Sequence, residues 1–142
     1  MRIELDQSPA TSPRRVITFG TFDVLHFGHL RLLKRASEFG DSLIVGISTD
    51  ALNYSKKQRY PIYKEKDRAA LVASMRYVDE VFMEESLDLK RDYIVQHKAD
   101  VLVMGDDWKG RFDFCKDLCE VVYLKRTPSI STTEIIEVIR QG

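Results

Sequence analysis

Residues 15–29 read Arg-Val-Ile-Thr-Phe-Gly-Thr-Phe-Asp-Val-Leu-His-Phe-Gly-His, and this stretch decides the fold. The β-branched run Val16–Phe19, ended by Gly20, predicts a strand. Apolar side chains then recur at helical spacing from Leu30 to Phe39, which predicts a helix after a short loop. A strand that leads into a helix is the first half of a βαβ unit, so we expect a parallel sheet.

Strands and helices alternate along the rest of the chain. The continuously apolar run Ser42–Ser48 is typical of a strand that is covered on both faces. Three more strands are predicted at 79–83, 100–104 and 120–124, and four more helices at 67–76, 88–97, 112–118 and 131–140. This alternation predicts an α/β fold, in which ligands bind outside the carboxyl ends of the strands. The residues after positions 19, 48, 104 and 124 are therefore the first candidates for a functional site.

Two segments do not follow this alternation. Residues 1–13 contain two prolines and little apolar content, so we expect a flexible N-terminal extension before a single domain over residues 14–142. Residues 53–66 are polar and basic and are expected to form a long loop. A loop of this length within a compact domain is usually functional or disordered.

The composition is that of an ordinary globular domain. The chain has 142 residues, 44% of them hydrophobic and 31% charged. Its 22 Lys and Arg residues balance 22 Asp and Glu residues, which argues against binding of nucleic acid or membranes through a bulk positive field. No apolar run is long enough to span a membrane and no secretory signal is visible, so we expect a cytoplasmic protein. Cys115 and Cys119 lack further ligands at zinc spacing and are expected to be reduced thiols.

Two histidines lie three residues apart at the start of the first predicted helix. His26 and His29 flank Gly28, and a helix N-terminus presents free N–H groups that bind phosphate. Imidazoles at this position can donate hydrogen bonds to a phosphoryl group as charge develops. Two alternatives stay open on these residues alone: a metal pair without a recognisable third ligand, and a structural role as helix caps.

Polar residues also follow the other strands. Asp50 comes after the second strand and Gly-Asp-Asp-Trp at 105–108 after the fourth, where they could bind a ligand, cap a helix or pack in the core. Arg126 follows the fifth strand, and Ser131 and Glu134 have the spacing of a capping box, which predicts a second anion-binding helix N-terminus. Two helix N-termini, a basic loop and two histidines together predict a triphosphate site.

The stretch at 20–29 resembles the first signature of the cytidylyltransferases in the HxGH nucleotidyltransferase superfamily, and Arg-Thr-Pro-Ser-Ile-Ser-Thr-Thr at 126–133 resembles the second. The likeness is greatest to bacterial glycerol-3-phosphate cytidylyltransferases and extends over residues 15–140. It implies a Rossmann-like, five-stranded parallel sheet in the order 3-2-1-4-5 with helices on both faces. It also implies a homodimer and transfer of CMP from CTP to a small phosphorylated alcohol, glycerol 3-phosphate first among them. Mg²⁺ would be carried by the CTP phosphates.

The resemblance further implies roles for single residues. The acceptor phosphate is already ionised, so it would attack the α-phosphorus directly, and catalysis would consist of positioning and charge neutralisation. No side chain is expected to bind a metal. The catalytic residues would be His26, His29, Lys56, Lys57 and Arg126, with both lysines on the predicted 53–66 loop. The nucleotide-binding residues would be Thr21, Phe22, Asp23, Arg76, Gly105, Asp106, Trp108, Thr127, Ser131 and Thr132. The acceptor-binding residues would be Asp50 and Arg68.

Three other functions are compatible with these motifs. The first is the same chemistry on another small phosphate or phosphonate, the second is an adenylyltransferase that uses ATP, and the third is a nucleotide-binding regulator without turnover. Pro128-Ser129 departs from the second signature, where a glycine is expected, and would stiffen the loop there. This departure and residues 1–13 bear on the choice of acceptor more than on the chemistry.

Overall fold

A computed structural model describes residues 13–126 and 131–142. Five parallel strands form one sheet in the order β3-β2-β1-β4-β5, which confirms the predicted fold class. Almost all of the predicted N-terminal extension lies outside the described residues. In chain order the elements are β1 (Arg15–Gly20), α1 (Phe27–Ser37), β2 (Ser42–Ser48), α2 (Asp50–Lys57), α3 (Glu65–Ala73), β3 (Glu80–Glu84), α4 (Lys90–Gln96), β4 (Val101–Gly105), β5 (Glu120–Leu124) and α5 (Thr132–Gln141).

The sheet is covered on both faces by apolar side chains. Successive residues of a strand point to opposite faces, so Val16 of β1 packs with Leu33 of α1, whereas Ile17 packs with Ile94 of α4. All four of these side chains are buried. This double cover explains why β2 is a continuously apolar run. Polar groups are therefore left to the ends of the strands.

The predicted long loop over residues 53–66 is wrong at both of its ends. Helix α2 occupies Asp50–Lys57, and its N-cap Thr49 accepts a hydrogen bond from the N–H of Leu52 at 3.1 Å. The connection to α3 is only seven residues long, 58–64, and begins at Gln58 with a left-handed φ of 60°. Lys56 and Lys57 therefore lie in the last turn of a helix and not on a flexible loop.

The predicted helix over residues 112–118 is also wrong. The connection between β4 and β5 contains two short 3₁₀ turns, Asp106–Trp108 and Asp113–Cys115, and no α-helix. Gly110 between them has a left-handed φ of 82°, so the two turns do not join into one helix. Short connectors are the usual place for 3₁₀ turns. The predicted helix over 88–97 is confirmed, although its first turn, Leu87–Leu89, is 3₁₀.

No helix among the described residues is long and apolar enough to cross a membrane. Both cysteines are free thiols, one buried and one half-buried, and burial raises the pKa of Cys119 to about 11.

Candidate active site

A cavity of about 770 Å³ opens at the carboxyl ends of the strands, where the fold class places ligands. A smaller cavity of about 250 Å³ lies beside it, and the two share His29, Gly105 and Thr132 in their walls. The N-termini of α1 and α5 therefore border the same space. The predicted residues that line the larger cavity are Thr21, Phe22, Asp23, His29, Lys56, Lys57, Gly105, Trp108 and Thr132.

The two histidines cap the N-terminus of α1 for each other. His26 Nδ1 accepts a hydrogen bond from the Gly28 N–H at 3.0 Å, and His29 Nδ1 accepts one from the His26 N–H at 3.1 Å. A neutral imidazole has one acceptor nitrogen and one donor nitrogen. In both rings, Nδ1 is the acceptor, which places the hydrogen on Nε2 and leaves that N–H available to a ligand. The structural role and the ligand-binding role are therefore compatible.

Both imidazoles are held in the neutral form. Burial and, to a smaller extent, the neighbouring His26 together lower the pKa of His29 to about 4, against an opposing effect of Asp23. Burial also lowers the pKa of His26. The ring centroids of the two histidines are 3.9 Å apart, so two positive charges there would repel. At neutral pH the pair acts as two hydrogen-bond donors without net charge.

The turn between β1 and α1 is built from unusual backbone. Phe22 and Val24 have left-handed φ values of 56° and 46°. A Cβ on Gly20 would lie 2.7 Å from the Phe22 ring, so only glycine lets that ring fold back against the end of β1. The Phe22 ring then packs 5.5 Å from the His29 ring. Strained backbone of this kind is concentrated at functional sites.

Asp23 ties this turn to two other segments. Its carboxylate accepts hydrogen bonds from the N–H groups of Ile62 and Tyr63 at 2.7 and 2.8 Å. Its carbonyl oxygen accepts a hydrogen bond from the Thr132 hydroxyl at 2.9 Å. Asp23 thus joins the α1 N-terminus, the α2–α3 connection and the α5 N-terminus. Its carboxylate oxygens are occupied by backbone donors, and its predicted contact with a nucleotide stays a prediction.

Arg68 and Asp50 lie behind the cavity. Arg68 is fully buried, and its guanidinium donates to the carbonyl oxygens of Thr21 and Ser48, both at 2.8 Å, and to the Asp50 carboxylate at 2.7 Å. It also donates to the carbonyl oxygen of Tyr63 at 2.9 Å. The arrangement joins the ends of β1 and β2. Neither Arg68 nor Asp50 lines either cavity, so the structure gives them a positioning role. Their predicted contact with the acceptor stays a prediction.

Described residues of the second signature line the smaller cavity. Arg126 and Ser131 line it together with His26 and Asp106. Ser131 is the N-cap of α5, and its hydroxyl accepts a hydrogen bond from the Glu134 N–H at 3.1 Å, as the capping-box spacing predicted. This second helix N-terminus faces the first, and Arg126 adds a guanidinium that can bind phosphate in bidentate fashion.

One predicted nucleotide-binding residue among the described residues, Arg76, does not line either cavity. Arg76 is exposed and lies between α3 and β3, at the amino ends of the strands and away from the cavities. Its guanidinium lies 5.3 Å from the centroid of the Tyr77 ring. Thr127, like Pro128 and Ser129, lies outside the described residues. Within the described ranges, no three His, Cys, Asp or Glu side chains form a cluster that could hold a metal ion.

Comparison with known proteins agrees with this geometry. A match to the family described as cytidylyltransferase-like covers residues 17–138. The chain belongs to the cytidylyltransferase-like family. Glycerol-3-phosphate cytidylyltransferase of Bacillus subtilis (strain 168) is 52% identical over 126 residues, which cover 89% of this chain and 97% of that protein. The Staphylococcus aureus protein of the same name is 52% identical over 122 residues, with coverages of 86% and 92%.

A solved structure shows the same fold for this cytidylyltransferase-like chain. The lipopolysaccharide core biosynthesis protein from Thermoplasma volcanium GSS1 has a TM-score of 0.74 and 25% sequence identity. The similarity covers 82% of this chain and 99% of that one. The resemblance predicted from the two signatures is therefore confirmed at the levels of family and fold.

The floor of the larger cavity contains residues that the sequence analysis missed. Lys90 donates to the Glu84 carboxylate at 2.5 Å, and both side chains are buried. Ser48 donates to Glu84 at 3.3 Å and accepts from Lys56 at 3.4 Å. A signal was present, because Glu84 ends the third strand. Glu84 therefore stands at the carboxyl end of a strand, where the fold class places ligands.

Proposed function

We propose that this protein transfers CMP from CTP to glycerol 3-phosphate and releases CDP-glycerol and pyrophosphate. The observation that carries the proposal is the 52% identity to glycerol-3-phosphate cytidylyltransferase of Bacillus subtilis over 97% of that protein's length. The site geometry agrees with it, because two helix N-termini and a set of cations surround one cavity at the carboxyl ends of the strands.

In this proposal the triphosphate lies across the N-termini of α1 and α5. The free N–H groups of both helices and the Arg126 guanidinium bind phosphate oxygens. The Nε2–H groups of His26 and His29 donate to oxygens on which charge develops in the transition state. Because both imidazoles are neutral and already fixed by their Nδ1 contacts, this stabilisation requires little reorganisation during the reaction.

The acceptor lies at the deep end of the larger cavity. Lys56 and Lys90 provide ammonium groups there, and Phe19, Phe112 and Trp108 provide apolar walls for a small carbon chain. One acceptor phosphate oxygen forms a bond to the α-phosphorus as the bond from that phosphorus to the bridging oxygen breaks. The electron pair leaves with pyrophosphate. No proton has to be removed, because the attacking oxygen is already ionised.

We propose that Mg²⁺ enters with CTP as a substrate complex. A divalent ion neutralises charge on the triphosphate, which is the chemistry it supplies in phosphoryl transfer generally. The described residues contain no cluster that would hold the ion without the nucleotide. Omission of Mg²⁺ should abolish turnover, and addition of Mg²⁺ without CTP should not raise the melting temperature.

We also propose a homodimer that works in the cytoplasm. The homodimer follows from the resemblance, and the compartment follows from the substrate, since CTP is a cytoplasmic metabolite. Light scattering should give a mass twice the 16.5 kDa of one chain. A mass of one chain at working concentration would contradict the dimer without affecting the proposed reaction.

Two measurements test the reaction. Thermal shift should rank CTP with Mg²⁺ above ATP with Mg²⁺, because a cytosine pocket must accept a hydrogen bond from the N4 amine. Pyrophosphate release should then be measured with CTP against a panel of phosphates and phosphonates, and mass spectrometry should detect CDP-glycerol with glycerol 3-phosphate. Preference for ATP would favour the adenylyltransferase alternative, and binding without turnover would favour the regulator.

A further inference from the structure

Glu84 is a buried carboxylate at the floor of the larger cavity. It is the last residue of β3, is 1% exposed, and lines the cavity together with Lys90. One of its carboxylate oxygens accepts from Lys90 Nζ at 2.5 Å and the other accepts from the Ser48 hydroxyl at 3.3 Å. The same hydroxyl accepts from Lys56 Nζ at 3.4 Å. A single carboxylate therefore connects the two ammonium groups of the acceptor end.

Fold stability alone does not explain the presence of this buried ion pair. Burying two charges costs a large desolvation penalty, and apolar residues of similar volume usually stabilise a fold as well or better. The pair lies in the wall of the larger cavity, where a ligand can reach it. Two ammonium groups and one carboxylate also leave a net charge of +1, which suits an anionic ligand.

The surroundings of Lys90 leave it few other orientations. Its Nζ lies 3.8 Å from the centroid of the Phe19 ring and 5.1 Å from that of Phe112, both within the range of a cation–π contact. The side chain is only 3% exposed. Glu84 on one side and the aromatic rings on the other therefore fix the position of the ammonium group.

We propose that Glu84 is a positioning residue for the acceptor: it holds Lys90 directly, and Lys56 through Ser48, so that both ammonium groups face the acceptor phosphate. This inference rests on the proposed function, because it takes the anion at the floor of the cavity to be the phosphate of glycerol 3-phosphate. Glu84 itself has no contact with the reacting atoms.

Glu84 also keeps these lysines charged. Burial lowers the pKa of Lys90, and Glu84 raises it through its charge and its hydrogen bond. Burial lowers the pKa of Lys56 as well, Glu84 raises it, and the cations Lys57, Lys90 and Arg68 lower it. The Cys115 thiol, which also faces Lys90, stays neutral because burial raises its pKa. Glu84 is therefore the main counter-charge, and without it both lysines would lose their protons at lower pH.

The test is a double-mutant cycle with Glu84→Gln, Lys90→Met and the double variant, assayed for pyrophosphate release. Glu84→Gln keeps the shape and the partner of Ser48 but removes the charge. The KM for glycerol 3-phosphate should rise about tenfold or more, as expected for the loss of a charge-assisted contact. The KM for CTP should change by less than about threefold. The effect of Glu84→Gln should be smaller in the Lys90→Met background than in the wild type, because Glu84 acts directly on that lysine and only indirectly on Lys56.

The pH profile gives a second readout that a structural role would not move. In Glu84→Gln, the KM for glycerol 3-phosphate should rise with pH from a lower pH than in the wild type. Glu80→Gln is the matched control, since Glu80 is at the other end of β3 and its side chain is 54% exposed. This control should show wild-type values for both KM constants and for the profile.

The remaining outcomes are equally decisive. Equal changes in both KM constants, additive effects in the cycle, or an unchanged pH profile would overturn the positioning role. If Glu84→Gln does not fold, Glu84→Asp takes its place, because it keeps the charge but withdraws it by one methylene, and the same split between the two KM constants is expected. Wild-type protein that makes no CDP-glycerol would instead remove the proposed function, so the two failures are distinguishable.

Discussion

At the scale of the residue, His29 performs two tasks with two different nitrogen atoms. Its Nδ1 accepts the hydrogen bond that closes the cap of α1, and its Nε2–H faces ligand space. A substitution by alanine would remove both functions at once. Two amide side chains can separate them, because the asparagine oxygen reproduces the position of Nδ1 and the glutamine nitrogen reproduces that of Nε2.

We expect His29→Asn to keep the cap and to lower kcat by about 10²-fold or more, the usual cost of losing one preorganised donor. We expect His29→Gln to keep more of the activity but to lose about 1 kcal/mol of folding free energy, as for a lost cap. Steady-state kinetics and urea unfolding measure the two effects. An Asn variant with wild-type kcat would reduce His29 to a cap.

Part of the candidate site could be predicted from the sequence residue by residue. His26, His29, Arg126 and Ser131 were identified correctly as neighbours, because each stands at a fixed distance from a strand end. Glu84 and Lys90 were missed. The position of Glu84 at the end of β3 indicates a place near the site, but Lys90 belongs to another element, and no spacing rule predicts that the two side chains form a buried pair.

At the scale of the element, the N-terminus of α5 combines a cap with a binding surface. The Ser131 hydroxyl accepts from the Glu134 N–H, and the next residue, Thr132, donates to the Asp23 carbonyl oxygen. The helix is thereby fixed against the α1 turn. A weakened start of α5 should affect CTP binding as well as stability.

We expect Ser131→Ala to lower the free energy of unfolding by about 1 kcal/mol and also to lower kcat/KM for CTP in protein that is still folded. Ser86→Ala is the matched control, because the Ser86 hydroxyl caps a short turn by accepting from the Asp88 N–H at 3.1 Å but does not line either cavity. The control should lose some stability and keep kcat/KM. Normal kcat/KM in Ser131→Ala would show that the residue is only a cap.

The connection between α2 and α3 should respond to nucleotide. Arg59, Tyr60 and Ile62 line the larger cavity, and Asp23 accepts from the backbone of residues 62 and 63. We expect CTP with Mg²⁺ to slow tryptic cleavage after Arg59, as ligand contacts restrict the segment. Cleavage after Lys98, which lies at the amino ends of the strands just before β4, should be unaffected. Equal cleavage at Arg59 with and without nucleotide would contradict the contact.

Among the elements, strands were predicted better than helices. The bounds of β2 and β5 agree with the prediction to the residue, because polar residues stand on both sides of each apolar run. Helix α2 was missed because it is short and mostly polar, with only Leu52 and Asn53 buried. Asn53 is buried as an amide whose oxygen accepts from Thr21 and whose nitrogen donates to two carbonyl groups, so its burial could not be predicted from hydrophobicity.

At the scale of the whole molecule, all three histidines respond to acid in the same direction. Burial is the largest cause that lowers the pKa of His26, His29 and His97 in the folded chain. The unfolded chain therefore takes up protons first as the pH falls. Their contribution to stability is complete above the unfolded pKa and is lost as the pH falls toward the folded values.

We expect the free energy of unfolding to decrease between about pH 7 and about pH 4, by up to about 1.4 kcal/mol per pH unit for each proton taken up. His29→Asn should flatten this slope more than His97→Gln does, since His29 has the lowest pKa, about 4. Urea unfolding at several pH values measures the slopes. Equal slopes in wild type and His29→Asn would contradict the assignment to His29.

The single tryptophan of the chain stands in the wall of the larger cavity, where its indole packs 5.6 Å from the Phe112 ring. Fluorescence excited selectively in tryptophan therefore has one source, and that source adjoins the space which the substrates are proposed to occupy. No dye or engineered label is needed to follow occupancy. Stopped-flow mixing with each substrate alone would give separate association rates, and their order of addition could be read from the emission of Trp108.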